Sequence, residues 1–124
     1  IDEWADLSND LNIFNTDART IVVCQKVPLE TPNTSVSYFE TPFDDKMMAR
    51  LMAFLYQKEK ISSIIIEGGA FTLSHFINES LWDEARVFTS PKVLHNAIVA
   101  PKINDLPKES MKIKEDVLDF YYKN

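Results

Sequence analysis

The stretch SIIIEGGAF, residues 63–71, contains both glycines of a 124-residue chain, Gly68 and Gly69, separated by Glu67 alone from three consecutive isoleucines. An unbroken apolar run bounded by turn residues reads as a strand covered on both faces, the pattern of a largely parallel sheet. The residues that follow read as a helix from about Ala70 to Ser80, burying Leu73, Phe76, Ile77 and Leu81. Glycine is favoured where the backbone bends abnormally or where something approaches it closely. A strand, a glycine turn and a helix start form a place where a phosphate can sit. The same residues also read as a tight turn that holds no ligand.

Working outward, RTIVVCQK (19–26) is β-branched and reads as a strand, and VSYFE (36–40) as a second one. Prolines and small polar residues between them mark a loop. Asp44 can cap a helix running to about Lys60, with Met47, Met48, Leu51, Met52 and Leu55 as its apolar stripe. A methionine stripe at this spacing reads as core. DEARVFTS (83–90) alternates, with Ala85 and Val87 on one face and Arg86 and Phe88 on the other, and Pro91 ends it. The tail MKIKEDVLDFYY (111–122) alternates again and reads as an antiparallel strand or a hairpin. The order strand, strand, helix, strand, helix, strand, strand predicts an α/β fold with a mixed sheet and flanking helices.

Composition narrows the function. Thirteen basic against nineteen acidic side chains give a formal charge of −6, which argues against a nucleic-acid or anionic-membrane surface. No apolar run approaches the length of a membrane span. A single cysteine, Cys24, cannot form an internal disulfide, which fits a reducing, cytoplasmic setting. Its apolar neighbours make it a buried small hydrophobe. Two histidines and one cysteine far apart in sequence do not make a zinc site, and neither GxGxxG nor GK[ST] occurs. Ser74 and His75, adjacent on a helix, point about 100° apart and do not form a nucleophile–base pair.

What remains is Glu67–Gly68–Gly69 at the carboxyl end of the apolar run, where ligands collect in open α/β sheets. The N–H groups of the first helical turn, Phe71 to Ser74, are expected to be free for a phosphate, with the Thr72 and Ser74 hydroxyls beside them. His75 is expected in the same first turn, which keeps it near any bound anion. A carboxylate repels phosphate, so Glu67 is expected to accept hydrogen bonds from a neutral part of the ligand.

The run SIIIEGGAFTLSHFINESLWDEARVFTSPKVL resembles the C-terminal half of the reductase domain of the bifunctional riboflavin-biosynthesis deaminase/reductase. Apolar strand, Glu-Gly-Gly, helix and an acidic DE opening a strand that closes on PK stand in the same register. Ala100–Pro101, RTIVV and LNIFN resemble further landmarks, so nearly the whole chain is covered. His95–Asn96–Ala97 stands where the family commonly has glycine. The resemblance implies a dihydrofolate-reductase-like α/β fold and the use of NADPH. It assigns Glu67 to the substrate, a phosphorylated aminopyrimidine. It assigns Gly68, Gly69, Ala70, Phe71, Thr72, Leu73, Ser74 and His75 to the cofactor, whose pyrophosphate would pass close to the two glycines. No residue is assigned as a nucleophile, general acid or base.

Residues 1–124 are thus expected to be the C-terminal portion of such a domain. Ile1–Asp2 reads as the end of an early sheet strand, so the sequence looks cut from a longer one, in which the preceding part supplies most substrate contacts. Two other readings stand beside this one: a non-catalytic dimerisation or packing fragment with a partial cofactor site, and another reductase of the same superfold. The aromatic tail Phe120–Tyr121–Tyr122 and the family both point to a homodimer whose contact includes the final strand.

Overall fold

The β-branched residues at 20–23 form the first strand, as their propensity requires. In the computed structural model, which describes residues 1–123, strand β1 (Thr20–Cys24) pairs in parallel with β2 (Val36–Glu40). The chain divides into two compact units, Ile1–Ile64 and Ile65–Asn124.

In the first unit, Phe14, Val22, Cys24 and Val36 form a buried cluster against which Ala5 and Tyr38 pack. A short 3-10 turn, Asn12–Phe14, delivers the Phe14 ring, and the Asn33 side-chain amide donates to the Phe14 carbonyl at 2.5 Å. Cys24 is fully buried and free, and burial pushes its thiol up from the ordinary range. Successive carbonyls of a strand point to opposite edges. The Cys24 carbonyl accepts from Thr41 N–H on the β2 side. On the other edge the Val23 carbonyl accepts from Asp2 N–H at 2.9 Å, and Gln25 N–H donates to the Glu3 carbonyl at 2.8 Å.

Helix α1 spans Met47–Gln57 and buries Met47, Met48 and Leu51 of the expected stripe, with Met52 and Leu55 half-buried. Phe54 stacks on Phe39 of β2 with ring centroids 4.2 Å apart, which seats the helix on the parallel pair. Asp44 is not the residue next to the helix. Its Oδ1 accepts from Lys46 N–H, and its carbonyl from Met47 N–H, so it shapes a turn three residues before the first helical residue. Arg50 then closes on this turn, donating to the Thr41 hydroxyl, the Pro42 carbonyl and the Asp44 carboxylate. Those hydrogen bonds hold the Asp44 carboxyl below the usual range. Their contribution is present above the ordinary aspartate range and is lost as pH falls through the lowered value.

The strand expected at residues 62–67 is absent. Ile64 and Ile65 are 39% and 86% exposed, and residues 61–69 carry no regular structure. A strand apolar on both faces needs a ladder partner and cover on each side. Among the described residues no strand pairs with this run.

The second unit begins its regular structure with α2 (Ala70–Asn78), whose Phe76 is buried. Strands β3 (Glu84–Thr89), β4 (Glu109–Ile113) and β5 (Asp116–Tyr122) form an antiparallel sheet in the order β3-β5-β4. The tail is therefore a hairpin, turning at Lys114–Glu115, with Lys114 at φ 56°. Leu118 is the buried centre of one face, opposite Phe88 on one side and Met111 on the other. On the same face the Arg86 guanidinium lies 5.6 Å from the Phe120 ring centroid, a cation–π distance. The final strand is thus central, with its backbone paired on both edges. The α/β class is as expected, with its strands distributed over two sheets rather than one.

Candidate functional site around Glu67–Gly68–Gly69

Five of the described residues have a left-handed backbone: Ala5, Lys60, Ser80, Asn96 and Lys114, at φ between 51° and 61°. None of them is glycine. Lys60 and Ser80 end α1 and α2, where Ile61 N–H returns to the Leu55 carbonyl and Leu81 N–H to the Phe76 carbonyl. Glycine is the usual residue at such helix ends because it lacks the Cβ penalty. Here the two glycines stand elsewhere, and neither has a positive φ. The conformational reason expected for them does not apply.

Their reasons differ. A Cβ built on Gly68 would lie 2.9 Å from the Cβ of Thr72 and 3.2 Å from its γ-methyl, so packing inside the chain requires glycine there. A Cβ on Gly69 would meet nothing within 4 Å. Gly69 has φ −65° and ψ 168°, an extended conformation that any residue adopts. No steric contact within the protein asks for glycine at position 69, which leaves only its modest preference over apolar residues as a helix N-cap.

Gly69 is the N-cap of α2, and no side chain caps that end. The first helical hydrogen bond runs from Leu73 N–H to the Gly69 carbonyl at 3.2 Å. The uncommitted donors of the first turn are therefore those of Ala70, Phe71 and Thr72, whereas the sequence predicts Phe71 to Ser74. Leu73 and Ser74 use theirs within the helix. The positive end of the helix dipole adds to these donors, which together suit an anion. Glu67, just before the two glycines, is exposed and forms no ion pair among the described residues.

His75 lies in the second turn, not the first. With hydrogen on Nδ1 its ring donates to the Phe71 carbonyl at 2.9 Å, and it tilts against the Phe71 ring at a centroid distance of 4.3 Å. Phe71 itself is 77% exposed. The histidine thus fixes a large apolar ring beside the open N-terminus, where a flat ligand group could rest. Among the described residues no cluster of histidine, cysteine and carboxylates suits a metal.

A cleft of about 240 Å³ in the first unit was not foreseen. Asp2, Asp6, Glu30, Ser8 and Tyr38 line it, with Phe14 and Val22 at its apolar side. Its segments are up to 36 residues apart in sequence, so no local pattern marks it. Three carboxylates and no basic side chain suit hydrogen-bond donors rather than phosphate. Burial, then Cys24 and Asp2, push the Tyr38 hydroxyl up from its ordinary value.

Residues 1–115 match the family described as the RibD C-terminal domain. The chain belongs to that family. Among solved structures, Acinetobacter baumannii RibD (form 2) is similar with a TM-score of 0.77 at 19% identity. The alignment covers 97% of this chain and 35% of that one, so the chain spans about a third of the RibD protein it matches. No curated protein matches it in sequence. The RibD likeness bears out the dihydrofolate-reductase-like α/β fold expected from the resemblance. Among the described residues no helix is long and apolar enough to cross a membrane.

Proposed function

We propose that this chain is the C-terminal portion of a reductase domain that uses NADPH to reduce 5-amino-6-(5-phosphoribosylamino)uracil in riboflavin biosynthesis, in the cytoplasm. One observation carries the reading. The chain has two glycines, withholds them from all five left-handed positions, and places one at an uncapped helix N-terminus where no atom of the protein needs the space. Space left on that side fits a ligand from outside the chain, and the free N–H groups of Ala70, Phe71 and Thr72 favour one that carries negative charge. Membership of the RibD C-terminal domain family supports reading that ligand as NADPH.

Each residue then has a role in binding and orientation. The three N–H groups and the helix dipole hold the pyrophosphate of the cofactor, and Gly69 admits it to the backbone. The Thr72 and Ser74 hydroxyls stand along the same segment. The Phe71 ring, fixed by His75, excludes water from one side. Glu67 accepts hydrogen bonds from the pyrimidine substrate, because a carboxylate gains nothing against a phosphate. NADPH, when bound, would supply a hydride to the ribosyl carbon bonded to the amine; the bond from that carbon to the ring oxygen breaks, the oxygen takes a proton from solvent, and the sugar opens to a ribityl chain. Nothing in these residues is assigned as nucleophile, general acid or general base.

Glu67→Gln in the full-length protein separates the two halves of this assignment. It keeps the size of the side chain and removes a charged acceptor, worth roughly 1.5–3 kcal/mol when hydrogen-bonded. Turnover of the pyrimidine substrate should fall about tenfold or more, while the NADPH dissociation constant stays within about twofold. Loss of cofactor binding with substrate binding intact would reverse the roles.

The assembly we propose is a homodimer. Because β5 is paired on both edges, the contact cannot come from strand addition to it and must use a face. The face around Leu118 exposes Phe88 by 64%, Met111 by 50% and Tyr122 by 38%. Light scattering on the full-length protein at micromolar concentration should give a dimer mass, and Phe88→Lys should reduce it to a monomer. A strictly monomeric wild type would remove the assembly.

A further inference from the structure

Helix side chains tilt toward the helix N-terminus, so the third helical residue reaches back over the residue before the cap. In α2 those two residues are Thr72 and Gly68. The Cβ of Thr72 lies so near Gly68 that one added carbon would stand 2.9 Å from it, with the γ-methyl at 3.2 Å and Oγ1 at 3.4 Å. The nearest atom is a Cβ, fixed to the backbone, not the far end of a flexible chain. It cannot swing away. Thr72 is half-buried and β-branched, which restricts its own rotation further.

From this contact we infer that Thr72 is a positioning residue. Seated on Gly68, it sets the direction in which the chain leaves α2 toward Glu67. Only the absence of a side chain at 68 lets a β-branched residue at 72 close down on the turn. Glu67 and the open N–H groups of α2 belong to two different ligands in the proposed function, on which this inference rests. The Gly68–Thr72 contact lies between them. It therefore fixes the spacing between the carboxylate that holds the substrate and the helix end that holds the cofactor. Gly68 and Gly69 thus divide the work: Gly69 makes room for the ligand, and Gly68 makes room for Thr72.

The test is an exchange of side chains in the full-length protein: Gly68→Ala, Thr72→Gly, and the two together. Gly68→Ala forces the turn away from the helix. Displacements near 1 Å at a binding site cost up to about a hundredfold, so KM should rise about tenfold or more for both NADPH and substrate. The melting midpoint should be nearly unchanged, because the exposed turn can shift without opening the core. Adding Thr72→Gly should return both KM values to those of Thr72→Gly alone. The amide resonances of Gly69 to Thr72 in the ligand-free protein should move in Gly68→Ala and return in the exchange.

Gly68→Ala with wild-type KM values and amide positions would overturn the inference. So would an exchange no better than Gly68→Ala alone, or one that restores the fold but not the KM values, since the contact would then be structural only. A wild type that fails to bind NADPH would instead defeat the proposed function. The amide resonances would still decide the contact.

Discussion

Gly69→Val in the full-length protein should weaken NADPH binding about ten- to a hundredfold, or roughly 1.4–2.8 kcal/mol, and leave the melting midpoint nearly unchanged. The backbone at 69 is already extended, which suits a β-branched residue, and an added Cβ meets nothing within 4 Å. Replacing glycine at a compatible position even reduces the freedom of the unfolded chain. Valine is a poorer N-cap than glycine, a loss of under about 1 kcal/mol, so the larger harm falls on whatever must approach from outside. Cofactor titration beside thermal unfolding reads both quantities on one sample. Unchanged affinity would remove the phosphate cradle, and a large loss of stability would mean that Gly69 serves the chain itself.

The largest effect on stability is expected from Phe14→Ala. Phe14 is 5% exposed and packs with Val22, Cys24 and Val36 in the core of the first unit. Truncating a buried phenylalanine removes its transfer free energy and leaves a cavity, together worth about 3–5 kcal/mol. Phe14 also lines the acidic cleft, so water can enter the space it leaves, which favours the lower end of that range. Urea unfolding of the full-length protein should show a loss of about 3 kcal/mol in the transition that includes this unit. A loss below about 1 kcal/mol would mean that the 3-10 turn at Asn12–Phe14 is not part of the core.

Much of this fold is legible locally. The β-branched run at 20–23, the stripe Met47–Met48–Leu51 and the alternation of 84–89 each carry their own burial pattern, and the structure follows it. Helix α2 begins at Ala70 as its apolar spacing requires. The tail was legible as an antiparallel strand or a hairpin, without a choice between them, and its place at the centre of the sheet was not legible, because strand order depends on distant partners. Residues 62–67 mislead for the same reason. Three isoleucines describe a surface that wants cover, and whether a ladder partner is there is not written in those residues.

The candidate site was legible in part. Glu67–Gly68–Gly69 and the helix behind them were marked by composition, since two glycines side by side in so glycine-poor a chain are conspicuous. The reason for each glycine was not legible. Packing against Thr72 requires Gly68, and only the built backbone reveals it. The openness at Gly69 likewise emerges only when the left-handed positions are found to be occupied by lysine, serine, asparagine and alanine. The cleft between residues 2–9, 28–30 and Tyr38 had no sequence signal at all.

The central claim is that the open end of α2 receives the cofactor phosphates. Amide resonances of the isotope-labelled full-length protein, followed during NADPH titration, test it most directly. Gly69, Ala70, Phe71 and Thr72 should shift together and saturate, and inorganic pyrophosphate should move the same four amides in the same direction. Saturating NADPH binding that leaves these four amides in place would contradict the account.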